Sequence, residues 1–283
     1  MTGESASMPD PRSRVAAGDV LAILGTDLKN LGAAIQGLGS DASLHGAVNV
    51  AHLALALVTE EIGRLPPVPP TRTGPRIFLA MQYMRAAEFT WVAAVRSMLQ
   101  LHRAEGAANT RAALELLGAV FFILRLSNGV DDEKLLDIVG DSQQVGRRLA
   151  TFVRDSGDTE GLKWLKSCKG TCTDYGAHGG IGRLIGLTRP VTQKGEGRTF
   201  RLDAEVSYTD LDPASMPSML SWLTSVAARS VNLLADEALI PAGLTISPAM
   251  THARTTLLAA AAKMARAHPI RHPSPPRSAT QGN

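Results

Sequence analysis

Aromatic side chains are scarce in this chain, at 4% of its 283 residues. Sheets lean on aromatic and β-branched neighbours, so this shortage, set against abundant alanine and glycine, favours tightly packed helices. Cysteine is almost missing. Cys168 and Cys172 are the only two, too few for a disulfide scaffold. Neither sign of charge dominates. A net charge of +3 and a pI near 9.0 do not by themselves argue for nucleic-acid binding. The first residues carry Glu4 and Asp10 and no apolar segment, which is not the pattern of a secretory signal. The longest charge-free helical stretch, Ala42 to Thr59, is interrupted by His45, Asn49 and His52. No membrane span is therefore expected there, and a bacterial cytoplasmic protein is the default expectation.

Several catalytic signatures are absent too. There is no Gly-x-Ser-x-Gly elbow and no Walker loop. No histidine has a glutamate three residues before it, which disfavours a di-metal carboxylate bundle. Cys168, Cys172 and His178 lack a further ligand at a recognised zinc spacing. Neither a metal nor a cofactor is expected.

What is present is helical periodicity. Residues 1–13 and 268–283 read as disordered tails, the second rich in proline and serine. Residues 14–65 read as an N-terminal helical pair. The second helix of that pair carries the stripe Leu44, Val48, Ala51, Leu55, Val58, Ile62. Pro66, Pro67, Pro69 and Pro70 make 66–74 an extended linker. Residues 75–267 read as the main bundle. A long helix runs from Pro75 to Arg103, Gly106 punctuates it, and the next runs from Ala107 to Ser127. A helical region from Asp131 to Arg154 breaks near Gly140. Short helices follow near 159–169 and 174–187. The alternation of Phe200, Leu202, Ala204, Val206 and Tyr208 with polar residues predicts a strand, in a small β-hairpin insertion near 190–208. Helices ending near Leu239 and spanning Ser247 to Ala267 complete the chain. The fold class is all-α, a helical bundle of about eight helices with that insertion.

The candidate chemistry lies where charge interrupts apolar helix. Glu88 falls in the seam Ile77, Met81, Met84, Trp91, Val95, Met98, with Arg85 three residues before it. Glu115 falls among Leu114, Leu116, Leu117 and Val120, with Arg111 four before it. Carboxylates in such company need partners, either as structural ion pairs or as parts of a ligand site. If the two long helices form an antiparallel pair, all four charges fall in one layer. A second candidate is Asp174-Tyr175-Gly176-Ala177-His178, where a carboxylate one turn away can orient the imidazole for proton transfer. Arginine outnumbers lysine about three to one, which reads first as codon usage and second as phosphate or carboxylate recognition.

The order of these features, NTRAALELLGAVFFI from Asn109 and TDYGAHGG from Thr173, resembles a loose group of uncharacterised bacterial helical proteins with an Arg-x-x-x-Glu helix and a later Tyr-x-x-His helix. That group is similar to HEPN-type helical domains. Some of these are RNases of defence or toxin–antitoxin modules, and others bind nucleotides or partners. The resemblance implies a polar interior pocket lined by Arg85, Glu88, Arg111, Glu115, Tyr175 and His178. This pocket would engage RNA, a nucleotide or another phosphate-bearing ligand. Arg111 would clamp phosphate, Glu115 would align the Arg111 guanidinium, and His178 would be the candidate catalytic group that transfers a proton. The arginine that HEPN ribonucleases place shortly before their histidine is missing here: Thr171, Cys172 and Thr173 precede His178. The alternative expectation is a non-catalytic interaction module, a homodimer through helix packing, whose ion pairs only fix helix register.

Overall fold

The computed structural model describes residues 28–29, 31–34, 36, 42–68, 73–156, 160–173, 188–196, 199–206 and 213–269. The expected helix at 174–187, both tails and most of the expected first helix lie outside them. Among the described residues the protein is an all-α bundle. Its helices are α1 (Ala42–Gly63), α2 (Gly74–Leu99), α3 (Arg103–Arg125), α4 (Asp132–Gly140), α5 (Ser142–Ser156), α6 (Glu160–Cys172), α7 (Met216–Asn232) and α8 (Pro248–Ala267). A 3-10 turn, Pro213–Ser215, leads into α7, and a π-helical segment, Leu233–Leu239, continues it. The backbone of β1 (Thr188–Glu196) pairs antiparallel with β2 (Thr199–Val206), with an irregularity between Pro190 and Thr192. The class of the fold rests on the helices alone.

The α2–α3 hairpin is the spine. Ala80, Ala87 and Ala94 repeat every seven residues on α2 and are buried, so the α3 backbone can come close. The pairing is antiparallel, since Asn109 donates to Ser97 Oγ near the turn and Arg76 donates to Ser127 at the far end. Leu101, at φ 64°, makes the turn. The sequence predicts that Gly106 separates the two helices. It instead lies inside the first turns of α3, where a Cβ would stand 2.5 Å from Met98 Cε. This glycine is a packing residue, and its missing side chain is the space that the buried Met98 fills.

Helices α1, α7 and α8 pack on one side of the spine, while α5 and α6 pack against α3 on the other. One continuous apolar core runs from Ala34 to Met264 and includes α1. The stripe expected on α1 is buried except for the half-buried Val48. Trp91 Nε1 donates to the Leu223 carbonyl at 3.2 Å, tying α2 to α7. Helices α1 and α3 are long and apolar enough to cross a membrane by length and composition, and α3 is mostly buried within the bundle.

The caps are chemically ordinary. Asp131 accepts from Lys134 N at the start of α4, and Ser247 Oγ accepts from Met250 N at the start of α8. Asp141 accepts from Gln143 N and Gln144 N, closing the break after Gly140 and starting α5. The π segment is unusual. Within it, Asp236 holds Arg254 of α8 at 2.7 Å, and Glu237 Oε1 accepts from Gly161 N at the start of α6.

Candidate functional site

Two strongly buried charges among the described residues were not singled out by the sequence. The Arg76 guanidinium, 7% exposed, donates to Asp132 at 2.7 Å, to the Ser127 carbonyl at 3.1 Å, and to the Val130 carbonyl. It staples the start of α2 to the α3–α4 turn. Glu61 is buried and held by both oxygens on Arg64 Nη1 at 2.8 and 2.9 Å. Arg76 sits beside the start of a helix amid Pro75 and Ile77, and only its place next to an apolar seam could have flagged it.

The predicted charges are less buried than their apolar neighbours suggested. Glu88 is 12% exposed and bonds His52 of α1 at 2.8 Å, while Arg85 is exposed. The physical reason is that α2 buries its alanine and Met84–Trp91 faces, leaving Arg85 on the outer surface. Arg111 and Glu115 do meet, with Nε to Oε1 at 3.2 Å and about a quarter of each side chain exposed. Glu115 turns to α6, where Lys169 lies 3.3 Å from the same oxygen. Arg111 also donates to Thr173 Oγ1 at 2.7 Å. The structure therefore joins Arg111 and Glu115 to Lys169 in the last turn of α6 and to Thr173 just past its end. It sends Glu88 to α1 instead. Tyr175 and His178 lie outside the described residues.

Beside the Arg111–Glu115–Lys169 cluster, α3, α5 and α6 enclose a groove of about 340 Å³. Its floor is apolar: Leu114, Val145, Leu149, Val153, Leu162 and Leu165. Gly118 lets α5 sit close, for a Cβ there would meet Leu149 Cδ1 at 3.2 Å. Gly146 faces the open part of the groove, where a Cβ would meet nothing within 4 Å. The rim carries Lys163, Lys166 and Lys169, spaced three apart along α6, and Glu115 at one end. Among the described residues neither Lys163 nor Lys166 forms an ion pair, and both are exposed. The carboxylate of Glu115 is already shared between Arg111 and Lys169. Cationic charge is thus in local excess over an apolar trough, the composition of a site for an anion with an apolar body. The signal in the sequence was the spacing of three lysines between Leu162, Leu165 and Cys168.

Cys168 and Cys172 are buried on the inner face of α6. Their mutual hydrogen bond draws the Cys168 thiol down and, together with burial, pushes the Cys172 thiol up. The described residues contain no cluster of three or more metal-ligating side chains. No family model matches the chain, and neither does any curated protein or solved structure. The likeness to HEPN-type domains is unsupported, and the chain stands as an all-helical protein without a recognised family.

Proposed function

We propose that the protein is a binding protein for an anionic amphiphile. An apolar chain lies in the groove between α3, α5 and α6, and a phosphate or carboxylate head sits on the lysine rim. The observation that carries this reading is the pairing of an apolar floor with Lys163 and Lys166, which no described carboxylate neutralises. In this reading Glu115 stands at the head-group end, with Arg111 beside it. Their role changes, because Glu115 restrains Arg111 and Lys169 and sets how much positive charge the rim offers. Tyr175 and His178 belong to the segment that begins next to Thr173, which Arg111 holds, and they remain the residues to test for contact with the head. RNA is a poorer fit, since a strand needs a continuous basic track and stacking aromatics and this groove is floored by aliphatic side chains. The reading assigns binding and no reaction. We read the strand pair Thr188–Glu196 and Thr199–Val206 as the small insertion expected from the sequence.

Calorimetry with dodecyl phosphate, dodecanoate, dodecanol and inorganic phosphate tests this. Both charged amphiphiles should bind. Dodecanol should bind at least about tenfold more weakly, and inorganic phosphate should not bind measurably. Gly146→Leu should abolish binding while leaving the fold intact, because its side chain enters open space. Equal affinity for dodecanol and dodecyl phosphate, or unaltered binding by Gly146→Leu, would overturn the reading.

A further inference from the structure

Helix α2 carries an exposed stripe that its own bundle does not use. Phe78, Gln82, Arg85, Phe89, Val92 and Arg96 recur at alternating spacings of four and three, and all six are exposed. Phe78 is 61% exposed, Phe89 68% and Val92 39%. This spacing is that of a coiled-coil seam, with one side of the helix facing a partner helix. Single exposed apolar residues need no explanation, but an ordered seam of two phenylalanines and a valine along about 27 Å of helix does.

The seam identifies its partner by its symmetry. Phe78 with Arg96, Gln82 with Val92, and Arg85 with Phe89 are each centred on residue 87. A second copy of α2 laid antiparallel about a two-fold axis there brings each member of a pair against the other member on the partner helix. Arg85 then meets Phe89, and Arg96 meets Phe78, twice each, which are cation–π contacts. A parallel pairing would instead stack Arg85 on Arg85 and Arg96 on Arg96. Among the described residues neither guanidinium has an ion pair or hydrogen bond.

We infer that α2 is a self-association face on which two copies of this chain pair antiparallel through the Phe78–Arg96 stripe. A contact of one helix pair is at the small end of specific interfaces, so the dimer forms reversibly with concentration. This inference rests on a surface on the outside of α2 and is independent of the groove.

Sedimentation equilibrium of the full chain, from about 10 to about 500 µM, should show a monomer–dimer equilibrium. Phe89→Arg, which places arginine against Arg85 of the second copy, should raise the dimer Kd about tenfold or more with the melting temperature unchanged. Register is read by cross-linking. Under mild oxidation an equimolar mixture of Q82C and V92C should give a disulfide-linked dimer, while Q82C alone should not, because the two copies of position 82 stand about 15 Å apart along the axis. A chain that stays monomeric over the whole range overturns the inference, whether its own N-terminal segment or nothing covers the stripe. So does a dimer that Phe89→Arg leaves intact, or cross-linking by Q82C alone as efficient as in the mixture.

Discussion

The α2–α3 seam and the α3–α5–α6 seam use similar small residues and finish differently. On the first, the absent side chain of Gly106 is filled by Met98, and Ala80, Ala87 and Ala94 draw two backbones together. On the second, Gly118 is likewise covered by Leu149, but Gly146, one turn earlier on α5, has nothing above it. A small residue closes a seam only when a neighbour is long enough to occupy the space, and otherwise it opens one. The guanidiniums repeat the contrast. Arg76 is sealed and saturated by carbonyls, whereas Arg111 shares its contacts with Glu115 and Thr173 at the margin of the open groove.

The sharpest way to break this comparison is at Arg76. Arg76→Ala strands the Val130 carbonyl, takes one of two donors from the Ser127 carbonyl and should cost about 2–3 kcal/mol in denaturant unfolding. Asp132→Asn should cost well under that, since its carboxylate is 62% exposed. Next in size is Gly106→Val, which must displace the fully buried Met98 and should cost about 1–3 kcal/mol. Gly146→Leu, made on the open seam, should leave the unfolding midpoint within error, so equal losses at the two glycines would erase the distinction drawn here. The smallest effect belongs to Asp141. Backbone hydrogen bonds from Gln143 and Gln144 hold its carboxyl below the ordinary carboxylate range. Its folded pKa lies under the unfolded one, so its contribution is complete above the unfolded pKa and is lost as pH falls through the folded value. Asp141→Asn should remove that part of the acid dependence, visible as a flatter pH–stability curve below neutrality.

Much of the helical order was legible because periodicity reports burial directly. The α1 stripe, the break near Gly140 and the Ser247 start of α8 all follow from apolar spacing or capping chemistry. The position of the turn was not legible. Gly106 looked like punctuation, yet a leucine, Leu101, takes the left-handed conformation. Glu88 and Glu115 looked buried because their sequence neighbours are apolar. Helix neighbours point in different directions, and both carboxylates lie at edges where α2 meets α1 and α3 meets α6. The Arg111–Glu115 pairing was readable from spacing alone. The groove was not, since it depends on three helices that the sequence does not place together.

The π-helical continuation of α7 bears on how the protein tolerates change in length. Such a segment is commonly the trace of one surplus residue accommodated within an α-helix. Excising the surplus position between Leu233 and Leu239 would restore regular pitch and leave the flanking helix close to its present phase. The widened turn that aims Asp236 at Arg254 and Glu237 at the amide of Gly161 would be lost. The irregular turn thus acts as a local aiming device toward two neighbours, and shortening it by a single residue would loosen both contacts while keeping the helix.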